Sequence, residues 1–212
     1  MKRAAIGVRA HSGWAAVVAV GIEASSRRSA RRRVEPVVLA RERVSVVDPA
    51  MCGEGIRGAV QPYHHVEEWK IPAAEKYLAE CAAIGQKMAA AALHKMGQEL
   101  NARGYTVTGC AVLTGQGRPM PGLAQILAAH PLIHTAEGIF FRHVFQDACE
   151  RLGWRVLGVR EKELDEQAKL VLGKDAARAK HTIAGMGKRM GAPWTADQKM
   201  AVLAAWMTLA GA

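Results

Sequence analysis

AAIGVRAHSGWAAVVAVGI, residues 4–22, is the stretch on which the fold turns. Two Val- and Ala-rich runs, Ala4 to Val8 and Trp14 to Ile22, flank His11-Ser12-Gly13. Apolar runs around a short Gly-containing break predict two strands joined by a hairpin. Further on, Val37 to Val47 alternates in a β-rich pattern, which predicts a third strand antiparallel to the second. The Arg-loaded stretch at 25–33 then becomes a basic hairpin tip. Residues 49–71 contain Gly53, Gly55, Gly58 and Pro62 without a sustained period, so a long loop carrying His64 and His65 is expected there.

From Pro72 to about Asn101 the composition turns to Ala, Glu, Lys, Leu and Met, with Leu78, Cys81, Gly85, Met88 and Ala92 at helical spacing. This predicts one helix on the order of 45 Å long, with Pro72 in its first turn. Gly104 ends it, Tyr105 to Leu113 reads as a fourth strand, and Gly115, Gly117, Pro119 and Pro121 form a loop at its carboxyl end. A helix from Thr135 to Leu152, a fifth strand from Arg155 to Val159 and two or three further helices complete the chain. The last helix opens on Thr195-Ala196-Asp197-Gln198, a capping box, and carries Met200, Leu203, Ala204 and Met207 as an apolar stripe. The order strand, strand, strand, helix, strand, helix, strand, then helices predicts an α/β domain spanning 1–212, a mixed five-stranded sheet with helices on both faces.

The 212 residues are half hydrophobic and 23% charged, which excludes a disordered or collagen-like chain. Only 5% are aromatic, so the core is aliphatic. No apolar run approaches the ~18 to 20 residues of a membrane span, so a cytoplasmic protein with no membrane partner is expected. Cys52, Cys81, Cys110 and Cys149 lie far apart without a C-x-x-C pair, which suits buried, reduced thiols. With 29 Lys+Arg against 19 Asp+Glu, the net charge of +10 favours polyanionic partners.

That element order resembles the ribonuclease H-like superfamily, and the C-terminal third is similar to the RuvC Holliday-junction resolvase branch. In RuvC-like proteins a strand leads to a Lys-containing turn, a Gly-Lys-Gly-x-Ala-x-Lys-like stretch, a helix, and a final helix opened by D-x-x-D-A. Here Val156 to Lys162 is followed by Gly173-Lys174-Asp175-Ala176-Ala177-Arg178-Ala179-Lys180 and then by Ala196-Asp197-Gln198-Lys199-Met200-Ala201. Ile6-Gly7-Val8 with Ser12-Gly13-Trp14 resembles the superfamily's opening strand and turn. The resemblance implies carboxylates converging on two divalent ions that activate water at a phosphodiester. This chain departs from that pattern at the acids. Arg9 stands where the first-strand Asp belongs, Leu113 and Thr114 end the fourth strand, and Met200 replaces the second acid of the last helix. Only Asp197 remains, and no Asp or Glu lies between Ala4 and Ile22 to restore the first ligand.

The sequence therefore predicts a degenerate RuvC-like fold that binds DNA or RNA, or acts as a scaffold, without a metal cofactor. By resemblance a homodimer is plausible. Arg27, Arg28, Arg31, Arg32 and Arg33 are the candidate phosphate contacts, against a plain solvated loop. Arg9 is a candidate anion binder through its planar fork, or else the partner of Asp197 or Glu137 in an ion pair replacing the metal site. Arg118, in Gly115-Gln116-Gly117-Arg118, is a second anion candidate. The alternative is a diverged hydrolase or phosphodiesterase, with Mg²⁺ only in that case, built from His11, His134, Glu137 and Asp197. His130 and His134 are four apart, but Pro131 between them argues against one helical ligand pair. Phe140, Phe141 and Phe145 read as core rather than as a stacking platform.

Overall fold

The computed structural model describes residues 1–24, 34–52, 59–115, 117 and 119–211. Strand β1 (Lys2–His11) turns through Ser12-Gly13 into β2 (Trp14–Ala24), and β2 pairs antiparallel with β3 (Val34–Ser45). Gly13 takes φ +78°, a value that the two-residue turn requires and that L side chains resist. Helix α2 (Ile71–Ala102), preceded by the short α1 (Pro62–His65), crosses back to β4 (Tyr105–Thr114), which lies parallel to β1. Next come the short α3 (Leu123–Leu127), the long α4 (His130–Arg151), and β5 (Arg155–Arg160), parallel to β4. The sheet runs β3-β2-β1-β4-β5. Helices α5 (Leu164–Leu172), α6 (Ala176–Met190) and α7 (Ala196–Ala210) end the chain.

The mixed five-stranded sheet expected from the sequence is present, with an apolar layer on each face. One layer gathers Ile6, Val8, Val17, Leu93, Met96, Phe141 and Phe145 under α2 and α4. The other packs Val18, Val20, Leu113 and Val159 against α5, α6 and α7. Phe141 and Phe145 are core, as expected. Cys81, Cys110 and Cys149 are buried and Cys52 is half-buried, all four as free thiols. No described helix is long and apolar enough to cross a membrane.

Three expectations are corrected. The region 49–71 is not one loop: it contains a single 3₁₀ turn at Pro49–Met51 and α1, so His64 and His65 are helical, while 53–58 lie outside the described residues. Helix α4 begins at His130, five residues before Thr135, because Pro131 occupies its first turn, where the missing N–H costs nothing. Helix α7 is buried on nearly every side from Ala201 to Leu209, not along one stripe, and Met200 is only partly buried.

The start of α7 is fixed locally. Thr195 Oγ accepts from Gln198 N, and Gln198 Oε1 accepts from Thr195 N at 3.1 Å, completing the expected capping box. Arg41 of β3 donates to the Met190 and Gly191 carbonyls and fastens the link before α7. Replacing Thr195 with Ala removes one cap bond and is expected to cost about 1 kcal/mol in urea unfolding, with an unchanged m-value.

Candidate functional site

The carboxyl ends of the parallel strands β1, β4 and β5 share one end of the sheet, and the N-terminus of α7 reaches it across β1. That crossing depends on Gly7, where any Cβ would run into the Ala201 carbonyl of α7. The contact brings Asp197, in the first turn of α7, to the end of β1.

Arg9 fills this corner. Its Nη1 is ion-paired with Asp197 Oδ1, and its Nη2 donates to Glu161 Oε2 at 3.2 Å. Of the two partners expected for Arg9, Asp197 is the one and Glu137 is not. His11 Nε2 lies 3.1 Å from Arg9 Nη1 and 3.3 Å from Asp197 Oδ2. A guanidinium has no acceptor, so the Arg9 contact needs Nε2 as a bare lone pair, whereas a proton on Nε2 would serve Asp197. The His11 ring stacks on Trp14 at 4.3 Å, and the Arg43 guanidinium covers the Trp14 ring at 4.0 Å. Arg9, with its planar fork spread over two carboxylates, is thus not free to hold an anion.

The donor set does not fit a pair of divalent cations. A two-ion site needs several uncommitted carboxylates, but here Asp197 and Glu161 each give an oxygen to Arg9, Thr114 ends β4, and a fixed positive charge sits among them. Arg9 supplies the positive charge between the two carboxylates.

Beside this corner opens a cavity of about 440 Å³, lined by Thr114, Gly115, Arg142, Arg160, Glu161 and Lys162 among others. Arg142 comes from α4 and lies against two glycines: a Cβ would meet its Nη1 at 2.9 Å from Gly115 and at 3.1 Å from Gly138. Its Nε is buried without a hydrogen-bond partner, and it has no ion-pair partner among the described residues. Burial pulls the guanidinium below its ordinary range; Glu161 opposes this and the like charge of Arg9 adds to it. Arg160 is paired with Glu163 at 2.8 Å. The cavity therefore presents Arg142 as an under-compensated cation.

The four residues of the candidate hydrolytic set do not converge on one point of contact. His11 and Asp197 meet at the β1 corner, whereas Glu137 is buried in α4, with Oε2 2.9 Å from His64 Nδ1. That contact has ion-pair distance, but the His64 ring N–H direction misses hydrogen-bond alignment. Glu137 Oε1 is 3.4 Å from the His64 backbone N–H. His134 packs edge-on against His64. Arg27, Arg28, Arg31, Arg32, Arg33 and Arg118 lie outside the described residues.

Sequence reasoning missed Arg142 and Glu161. Glu161 directly follows β5, at the strand ends where open α/β sheets place their ligands. Arg142 is the fourth member of a His130, His134, Gly138, Arg142 series at four-residue spacing, legible once the helix starts at His130.

No protein-family model matches this chain, and no curated protein does. Solved structures do. A structure of Thermus thermophilus RuvC aligns with 98% of this chain and 93% of its own, at 13% identity and TM-score 0.50. Thermus thermophilus RuvC in complex with a Holliday junction substrate aligns over the same shares at 13% identity, with TM-score 0.53. The fold is RuvC-like, within the ribonuclease H-like architecture.

Proposed function

We propose that this RuvC-like fold binds nucleic acid through the positive cavity at the carboxyl ends of β4 and β5, and that it does so without two-metal phosphodiester cleavage. The observation that carries the reading is Arg142, an under-compensated guanidinium held open by Gly115 and Gly138 beside a corner where Arg9 is paired with Asp197 and Glu161. A planar, permanently charged fork with free donors suits a phosphate oxygen pair. The net charge of +10 adds a long-range attraction toward polyanions. A structural neighbour solved with a Holliday junction makes branched DNA the first polymer to test. Lys162 on the cavity rim adds a point charge, and the arginines of 25–33 are a further candidate contact.

Fluorescence anisotropy with single-stranded, duplex and four-way-branched DNA and with RNA, across 50 to 300 mM salt in EDTA, tests this. Affinity is expected to fall linearly on a log–log salt plot. Arg142→Ala should weaken binding about tenfold and reduce the slope by about one. A flat salt response, or equal binding by the folded variant, refutes the proposal. Cleavage of any of these polymers with Mg²⁺ that Asp197→Asn abolished would favour the hydrolase reading instead.

A further inference from the structure

We propose that His64, His130 and His134 bind one divalent transition-metal ion, with zinc the best match, at a site separate from the Arg9 corner. The three residues each offer a ligand atom, and those atoms all lie within 4.8 Å of one another. His130 and His134 are one turn apart on α4, with their Nε2 atoms 3.1 Å apart. Two imidazole nitrogens on one tetrahedral zinc, each about 2.0 to 2.1 Å from it, are separated by roughly 3.3 Å. The His64 ring stands edge-on to both, at centroid distances of 5.2 Å and 4.6 Å. Pro131, which on sequence alone argued against a helical pair, instead starts the helix that aligns it.

The residues behind the histidines match what a metal needs. Glu137 lies 2.9 Å from His64 Nδ1, and Glu67 lies 3.9 Å from His130 Nδ1. A carboxylate behind Nδ1 fixes the ring and makes Nε2 a better donor, an arrangement that recurs behind metal-bound imidazoles. The His64 and Glu137 side chains are only 7% and 4% exposed. A carboxylate so deeply placed requires a positive partner, and a metal-bound imidazole supplies one without a protonated ring. His64 Nδ1, moreover, is buried without an aligned hydrogen bond, which a small ring rotation on metal binding would correct. The surroundings are stiff: Val66, Leu78, Ile126, Leu127, Ile133 and Ala136 form a third apolar cluster that clamps α1 to the start of α4.

Three imidazoles select zinc, copper or nickel over magnesium and calcium, which prefer oxygen. A cavity of about 490 Å³ adjoins His134 and has Arg142 on its wall, with Gly138 between them on the same face of α4. Because Gly138 has no side chain, the Arg142 guanidinium lies back along the helix toward the histidines. Three protein ligands leave one position of a tetrahedral ion for water or an anion.

The test uses tag-free, metal-stripped protein titrated with Zn²⁺ by calorimetry and with Co²⁺ by its visible absorption. Expected are one equivalent of Zn²⁺ and the intense bands of a four-coordinate Co²⁺ centre. His130→Ala and His134→Ala change exposed residues outside the core and should each weaken binding at least 100-fold. Glu137→Gln should weaken it about 10- to 100-fold with the absorption bands retained. Binding below a tenth of an equivalent, or binding unaltered in folded His130→Ala and His134→Ala, overturns the assignment. Nucleic-acid binding measured in EDTA is unaffected by either outcome, so the two proposals fail separately.

Discussion

Gly7→Ala is expected to unfold this protein well below the temperature of the parent chain. Gly7 sits mid-strand in β1, paired with Val18 on one side and Ala111 on the other, so the strand has no room to shift sideways. On the remaining side the backbone of Ala201 in α7 lies where a methyl group would go, and a helix backbone cannot rotate away as a side chain can. The added carbon must lift α7 from the sheet and open gaps around Val202, Ala205 and Leu209, all buried in that layer. Overpacking against flexible side chains costs about 1 to 3 kcal/mol, so an obstacle made of main chain places this variant at about 3 kcal/mol or more. For a chain of this size that corresponds to a Tm roughly 10 °C lower. Gly185, in α6, has nothing within 4 Å of its would-be Cβ and serves as the control. Gly185→Ala should raise stability by up to about 1 kcal/mol through helix propensity. A Gly7→Ala loss under about 1 kcal/mol in urea titration would contradict the close docking of α7.

Arg9→Asp has the second-largest expected effect. The substitution removes the cation that Asp197 and Glu161 share and places a third carboxylate among them, in a corner where the Arg9 and Asp197 side chains are only about a fifth exposed. Breaking an enclosed pair costs up to 3 to 5 kcal/mol, and partial solvent access here scales that to about 2 to 3 kcal/mol. The informative part is the rescue. Three converging carboxylates make an oxygen-rich cation site, so Mg²⁺ should recover several degrees of the lost Tm in Arg9→Asp and leave the parent chain unmoved. A variant that loses stability but ignores Mg²⁺ would mean that the corner lacks cation-site geometry even without the guanidinium.

The two variants show how unevenly this protein could be read from its residues. The strands and the long α2 were legible because their signals are local: the apolar run Trp14 to Ile22, alternation in Val37 to Val47, helical spacing through Leu78 and Cys81, Gly13 at the turn, and the capping box at Thr195. The position of Arg9 near the end of β1 was legible as well, since it is fixed in register once that strand is placed. Pro131 misled because proline's meaning depends on position. In a helix interior it breaks the ladder, and in the first turn it starts one. The uniform burial of α7 was hidden because Ala-rich helices look alike whether one face or every face is covered.

The sequence by itself determined the order of the strands and the long helices, the excess positive charge and the presence of Arg9, Thr114 and Met200 where the resemblance implies acids, because each depends on residue type and on neighbours a few positions away. Only the tertiary structure decided which polar groups share a partner. Arg9 and Asp197 are separated by 188 residues and His64 and Glu137 by 73, so no spacing rule connects them. Asp197 pairs with a guanidinium, Glu137 backs a histidine, and Arg142 is left without an ion-pair partner among the described residues, because sheet register and helix docking set those distances. Coulomb energy and desolvation act through space, and the chain's own order carries no record of that distance until it folds.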